Sequence, residues 1–600
     1  MTDVRADIPA KYKWDLSAIY ENIEAFNADY EKAKKLIEAF PRHAETMTKS
    51  PEALYEALEE DTQISRLLEK LYSYAFLNSD LDKSDNFYLS LSGKIQNLWC
   101  DAGSASFFMR PKMLSISKKT TEKWYEEFPK LLEYKRAIEG VQRYRPHTLS
   151  DEGEKLLADL SPAMGTHSDI RSIFANADLR FGKINDEDRK KVELTEATYV
   201  LRLMSEDRNV RRAAFKKLYE TYDGFGNTLS SLMNACVKER TTLAKVRKYK
   251  DSITASTFSD EVTPEIYNNL INTVSENFAP LFKYYDIKRE VLGLSKMHMY
   301  DVYTPLISSC TKEYDFEEAV SEVLDTVKVF GDEYLNTLKN GIEKEKWVDV
   351  YPTKGKRGGA YSAGCYDTQP YILLNYTGKL DDVSTLAHEA GHSMHSYFSR
   401  GANTPQESDY TIFVAEVAST VNELLFCHRK LRESKSNEEK LAIMNQLMET
   451  YKGTLYRQTM FAEFEREMHA LCEAGETLTK ELLCDVYYKI VKKYFGNHVV
   501  CDKEIALEWM RIPHFYSCFY VYKYATCISA ASSIVHKIET EGEAYIGKYL
   551  DFLKCGGSKS PLDSLKVAGI DMTKPEVVRD AIADFAETVD AFEKLYNETK

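Results

Sequence analysis

His388, Glu389 and His392 stand in Leu386-Ala387-His388-Glu389-Ala390-Gly391-His392, two imidazoles four residues apart with a carboxylate between them. On an α-helix, positions i and i+4 project from one face with Cβ atoms ~6 Å apart, so both ring nitrogens reach one divalent ion at ~2.1 Å. Glu389 is turned aside from that pair. Its carboxylate is then free to take a proton from a water polarised by the ion, which is the task of a general base in hydrolysis. In a shuffled chain with 12 His and 94 acidic residues such a string appears ~0.03 times, so its neighbours must support it. They do. Asp381-Asp382 supply an acidic helix start, Val383, Leu386, Ala387, Ala390, Met394, Tyr397 and Phe398 repeat at helical spacing, and Arg400-Gly401 marks the end. The motif sits mid-helix, where its geometry holds.

Two histidines leave a catalytic ion one protein ligand short. In Thr411-Ile412-Phe413-Val414-Ala415-Glu416-Val417-Ala418-Ser419-Thr420 one carboxylate interrupts an apolar helical stretch. An unpaired charge there is costly, and a metal bond at Glu416 removes the cost. Glu423, seven residues on, is placed to buttress a histidine through the nitrogen that does not face the metal. His395 is the rival ligand, but positions i, i+4 and i+7 cannot comfortably reach one ion, so it reads as a wall residue. The segment 511–524, Arg-Ile-Pro-His-Phe-Tyr-Ser-Cys-Phe-Tyr-Val-Tyr-Lys-Tyr, is dense in donors that could meet an oxyanion. Taken alone it is an aromatic-rich stretch, for which core packing is the better account.

The elements that must position these groups are mainly helical. Apolar residues recur at helical spacing over 51–76, 85–99, 121–141 and 207–222, and the first 200 residues read as an N-terminal helical lobe, leaving 201–600 as the catalytic region. Short strands are expected at 178–184 and 197–201, and a small sheet just before the metal helix from 348–351, 359–362 and 371–376. An edge of that sheet facing the metal would let an extended peptide add as one more strand, at Gly359, Ala360 and Tyr361. A sheet with only a packing role fits the same residues.

The formal charge of −15, with no basic stripe interleaved with aromatics, argues against nucleic acid. No 18-residue apolar run and no leader-like segment appear, so no membrane is expected either. The 11 Cys form no C-x-x-C pair, which suits reduced thiols and a cytoplasmic location. The 40 Tyr suit a polar, roomy cleft.

Lys13-Trp14-Asp15-Leu16, Arg357-Gly358-Gly359-Ala360-Tyr361, the His388 motif, Phe413-Val414-Ala415-Glu416-Val417-Ala418-Ser419, Ile512-Pro513-His514-Phe515-Tyr516, Tyr520-Val521-Tyr522-Lys523-Tyr524-Ala525, Gly556-Gly557-Ser558 and Gly569-Ile570-Asp571-Met572 follow one another along nearly the whole chain. This ordered set resembles the oligoendopeptidase F branch of the thimet-oligopeptidase-like zinc metallopeptidases. The resemblance implies a mainly α, two-lobed body with a deep central channel and one Zn2+ per chain, and cleavage of internal bonds in short unstructured peptides. It makes His388, His392 and Glu416 the metal ligands and Glu389 the base. It also brings His514 and the tyrosines at 520 and 522 to substrate and oxyanion, with Tyr522 the preferred donor and Tyr516 and Tyr520 the alternatives. Two rival readings are a zinc carboxypeptidase of related fold and a non-catalytic peptide-binding protein with a structural metal.

Overall fold

The computed structural model describes residues 4–307 and 312–600, and the chain forms two compact units, each drawn from three stretches. Met1–Pro146, Thr311–Arg429 and Ile534–Gly569 make one unit; His147–Cys310, Lys430–Ser533 and Ile570–Lys600 make the other. Both are built mostly from helices.

In the first unit, helix α1 (Pro51–Leu81) starts where the Ser50 hydroxyl accepts the Ala53 N–H at 3.3 Å, with Pro51 at the first helical position. It buries Leu54, Leu68, Leu71 and Ala75 in a core that also takes Trp14, Phe26, Ile95 and Leu131. The sheet just before the metal-helix sequence joins that core. Its strands are β3 (Val348–Asp349), β4 (Tyr361–Ala363) and β5 (Tyr371–Leu373), in the order β3-β5-β4. Strand β5 is central and buried, and β4 pairs with it antiparallel, Ser362 opposite Ile372, which leaves β4 as an edge. The Trp14 ring meets Tyr371 edge-on at 6.0 Å, and the Tyr371 hydroxyl donates to the Asp15 carbonyl at 3.0 Å. These strands are shorter than the runs that foretold them. Gly359 (φ 83°) and Gly364 (φ 143°) turn the chain out of line on either side of β4.

Two long helices complete this part of the unit. α2 (Leu380–Ala402) carries the His388 motif, and α3 (Ile412–Glu433) carries Glu416.

In the second unit, β1 (Lys183–Asn185) and β2 (Lys191–Glu193) form an antiparallel hairpin. Residues 197–201, expected as a strand, lie instead in the helix Glu196–Leu203. The Thr195 hydroxyl accepts the Thr198 N–H and the Thr198 hydroxyl accepts the Thr195 N–H, a reciprocal cap that starts a helix despite the β-branched residues. In the first unit the expected helix over 121–141 is broken at Pro129, which cannot donate and opens a 3-10 turn. The second unit's interior is rich in buried aromatics, among them Tyr219, Tyr267, Tyr284, Tyr487 and Trp509. Among the described residues, no helix is long and apolar enough to cross a membrane.

Candidate metal centre

α2 is anchored at its start by Asp382, whose carboxylate accepts the N–H groups of Thr377 and Lys379 at 3.0 Å each. Val383, Leu386, Ala387, Ala390 and Met394 form its buried face. Gly391 marks the crossing with α3. A Cβ there would lie 2.6 Å from the Ala418 carbonyl oxygen and 2.6 Å from Ser419 Cα, so only glycine lets the two backbones come this close. The Asn422 amide ties the helices again, donating to the Ala387 carbonyl at 3.1 Å.

This crossing brings one oxygen of Glu416 between two rings. Glu416 Oε2 lies 3.3 Å from His388 Nε2 and 3.2 Å from His392 Nε2. The three donor atoms fall within 4.8 Å of one another, and among the described residues this is the only such cluster. Behind them, Glu423 Oε2 sits 3.2 Å from His388 Nδ1, which turns Nε2 toward Glu416. The Ser419 hydroxyl donates to Glu416 Oε2 at 3.1 Å.

Burial works against a charged His388, but its hydrogen bonds to the carboxylates of Glu416 and Glu423 outweigh this and raise its pKa to about 10. Burial likewise opposes ionisation of Glu416, and the two imidazoles overcome that and hold its carboxyl well below the usual range. A half-buried set of two imidazole nitrogens and one carboxylate oxygen is the donor chemistry of a catalytic divalent metal, and these residues fit one.

Glu389 is buried next to the trio, and burial pushes its pKa up against the pull of His388 and His392. Its Oε2 has no hydrogen-bond partner among the described residues. The Ser362 backbone amide lies against its carboxylate and lowers the pKa in part. Edge strand β4 therefore runs beside the base, and it is clasped there by the Ser362 hydroxyl at 2.8 Å from that of Ser393.

The remaining expected residues divide cleanly. Gly359 and Ala360 lead into β4, and the Gly359 carbonyl accepts from the Asn375 amide at 2.7 Å. The Tyr361 hydroxyl is committed to Asp80 at 2.8 Å. His395 is stacked on Tyr410 at 3.7 Å, and burial lowers its pKa to about 3; it stands outside the cluster. His514, Tyr516, Tyr520 and Tyr522 all belong to the second unit. There the half-buried His514 ring lies 6.2 Å from Tyr520, with burial and Arg171 pushing its pKa down. Tyr516 is buried over His167 at 6.2 Å, and Tyr522 is buried against Tyr267 at 4.9 Å. Sequence reasoning missed Ser362, Ser393, Ser419 and Asn422. Their only signal was small or polar residues next to expected ligands on the same helix or strand.

Comparisons with known proteins give the family. The model for Peptidase family M3 matches residues 201–584, and that for Oligopeptidase F matches 112–181. The chain belongs to peptidase family M3. It is a metallopeptidase of the oligoendopeptidase type, and its chemistry is peptide hydrolysis. It is 41% identical to the oligopeptidase PepF of Bacillus subtilis over 99% of this chain and 89% of that one. To an oligoendopeptidase F homolog of Borreliella burgdorferi it is 38% identical over 99% of both chains. The crystal structure of oligoendopeptidase-F from Enterococcus faecium superposes with a TM-score of 0.75 at 32% identity, covering 96% of this chain and 99% of that one. The mainly helical fold with few, short strands is that of these enzymes.

Proposed function

We propose that the chain is a zinc-dependent endopeptidase that cuts internal bonds of short unstructured peptides, with His388, His392 and Glu416 holding the ion and Glu389 as general base. The observation that carries this reading is the convergence of Glu416 Oε2 on both imidazole Nε2 atoms beside a buried carboxylate with an unpartnered oxygen. A bound zinc supplies Lewis-acid polarisation of a water molecule and of the scissile carbonyl. Glu389 takes the water's proton and passes it to the leaving amine, a transfer favoured by a carboxyl whose pKa is raised by burial. An extended peptide is placed along the outer edge of β4, where the Ser362 N–H is already directed at Glu389, so recognition rests on the remaining main-chain groups and makes little demand on side chains.

His514 and Tyr522 are assigned as donors to the oxyanion, on their place in the motif. The burial of Tyr522 adds a condition: its hydroxyl meets a substrate only if the packing around it, which includes the Tyr267 ring, opens. Half-buried Tyr520 needs no such movement and remains the alternative. Catalysis is assigned to 201–600 with 1–200 as its helical companion. The ten described cysteines form no disulfide with one another, which favours a reducing, cytoplasmic setting.

One digestion tests the function. A decapeptide is incubated with purified protein, and the products are mapped by mass spectrometry before and after chelation and after zinc is restored. Internal cuts that vanish and return with zinc are expected. Stepwise loss from the C-terminus would indicate a carboxypeptidase, and inertness with zinc bound would indicate a binding protein.

A further inference from the structure

Helix α4 (Arg457–Glu473), in the second unit, turns Phe461, Phe464 and Met468 inward, and among them Glu465 is fully buried. A carboxylate in that setting is costly unless it is fully partnered. One oxygen accepts the backbone N–H of Phe519 at 2.5 Å, and the other has no hydrogen-bond partner among the described residues. Burial raises the pKa of Glu465 far above the carboxylate range, and the Phe519 amide and Lys523 offset only part of this.

Phe519 is unusual in its own right. Its φ is 49°, in the left-handed region that side chains other than glycine and asparagine seldom enter. It occupies the third position of a turn closed by the Tyr520 N–H on the Ser517 carbonyl at 3.1 Å, a place where glycine is the usual choice. The ring is clamped by Tyr267 at 5.4 Å and His469 at 4.5 Å, and the Ser256 hydroxyl holds the Cys518 carbonyl at 3.1 Å. The residues that follow this strained turn are Tyr520 and, at the start of helix α5 (Tyr522–Glu541), Tyr522. Strain of this kind persists only where the surroundings over-determine it.

We propose that Glu465 is a positioning residue: by holding the Phe519 amide it keeps the turn left-handed and so fixes where Tyr520 and Tyr522 present their hydroxyls during peptide hydrolysis. The proposal rests on the reading above that a tyrosine of this segment contacts the substrate. Without the acceptor, Phe519 relaxes to negative φ. The peptide planes on either side then rotate, and both tyrosines shift with them.

A merely structural Glu465 makes a different forecast: loss of the acceptor leaves the Phe519 N–H unpaired and lowers stability, while kcat of the folded protein stays unchanged. The test compares E465Q, which keeps an acceptor oxygen, with E465L, which does not, both in the full-length zinc-loaded protein. E465Q is expected to stay within about threefold of wild-type kcat, while E465L loses about tenfold or more in kcat with KM and zinc content little changed. Hydrogen exchange at Phe519 should accelerate in E465L alone. In the double variant E465L/Y522F or E465L/Y520F the losses should fail to multiply for the tyrosine that acts. An E465L protein with undiminished kcat, tested against impaired tyrosine variants, overturns the proposal alone. Tyrosine variants that all keep full kcat remove the parent reading and the proposal with it. Should E465L not fold, E465Q decides: retained Phe519 protection with retained kcat supports the clamp, and lost protection with full kcat overturns it.

Discussion

At the metal centre the reactive groups hang from two regular helices whose backbones touch at Gly391, and every ligand atom points to one spot. At 517–522 the proposed donors hang from an irregular turn with a non-glycine residue at positive φ, held by a buried carboxyl 54 positions away. The first arrangement is local. Its geometry follows from spacing along α2 and from the packing of α2 on α3, whereas the second depends on a long-range hydrogen bond and on aromatic packing. On the proposed assignment, groups that would bind an ion sit on rigid elements, and groups that would meet a developing charge sit on a strained one.

The contrast can be broken most sharply at the base. Glu389→Gln is expected to lower kcat by several orders of magnitude, roughly the scale for a broken catalytic unit, with zinc held near one per chain by elemental analysis; retained turnover would exclude Glu389 as the base. Next in size is Tyr522→Phe, expected to cost ~10²–10³ in kcat as for a lost oxyanion donor. Steady-state kinetics on Tyr520→Phe alongside it shifts the role to Tyr520 if that variant is the more impaired. Glu423→Gln probes the buttress behind His388: zinc affinity should fall ~10–100-fold, read by competition with a chelating dye, while kcat at saturating zinc changes little. The smallest effect belongs to the crossing itself. Gly391→Ala should destabilise the protein by ~1–3 kcal/mol through overpacking, measured by denaturant unfolding, and an unchanged midpoint would mean the helices yield more easily than their contact implies.

Much of the local half was legible in the sequence. Helical spacing around the His388 motif fixes which face carries the imidazoles, and a lone acid in the apolar run at 411–420 reveals Glu416 by the cost of leaving it unpaired. The same signal stood at Glu465, between Phe461 and Met468, but two nearby acids, Glu463 and Glu467, masked it as an ordinary amphipathic helix. Phe519 gave no signal, because a left-handed residue that is not glycine is stabilised by partners distant in the chain. The Ala197 to Leu201 stretch misled for a related reason: β-branched and aromatic content spoke for a strand, and the Thr195 cap decided for a helix. The make-up of each unit from three separated stretches has no local trace, since no linker composition marks the junctions.

The close approach at Gly391 carries one more consequence. Because backbone rests on backbone there, the spacing between the ligand-bearing helices is set by covalent geometry and van der Waals radii and owes little to the ion. Such a cage is preorganised. It can lose its cation and recapture it without refolding, so chelation of the ion should leave the spacing of the two helices unchanged.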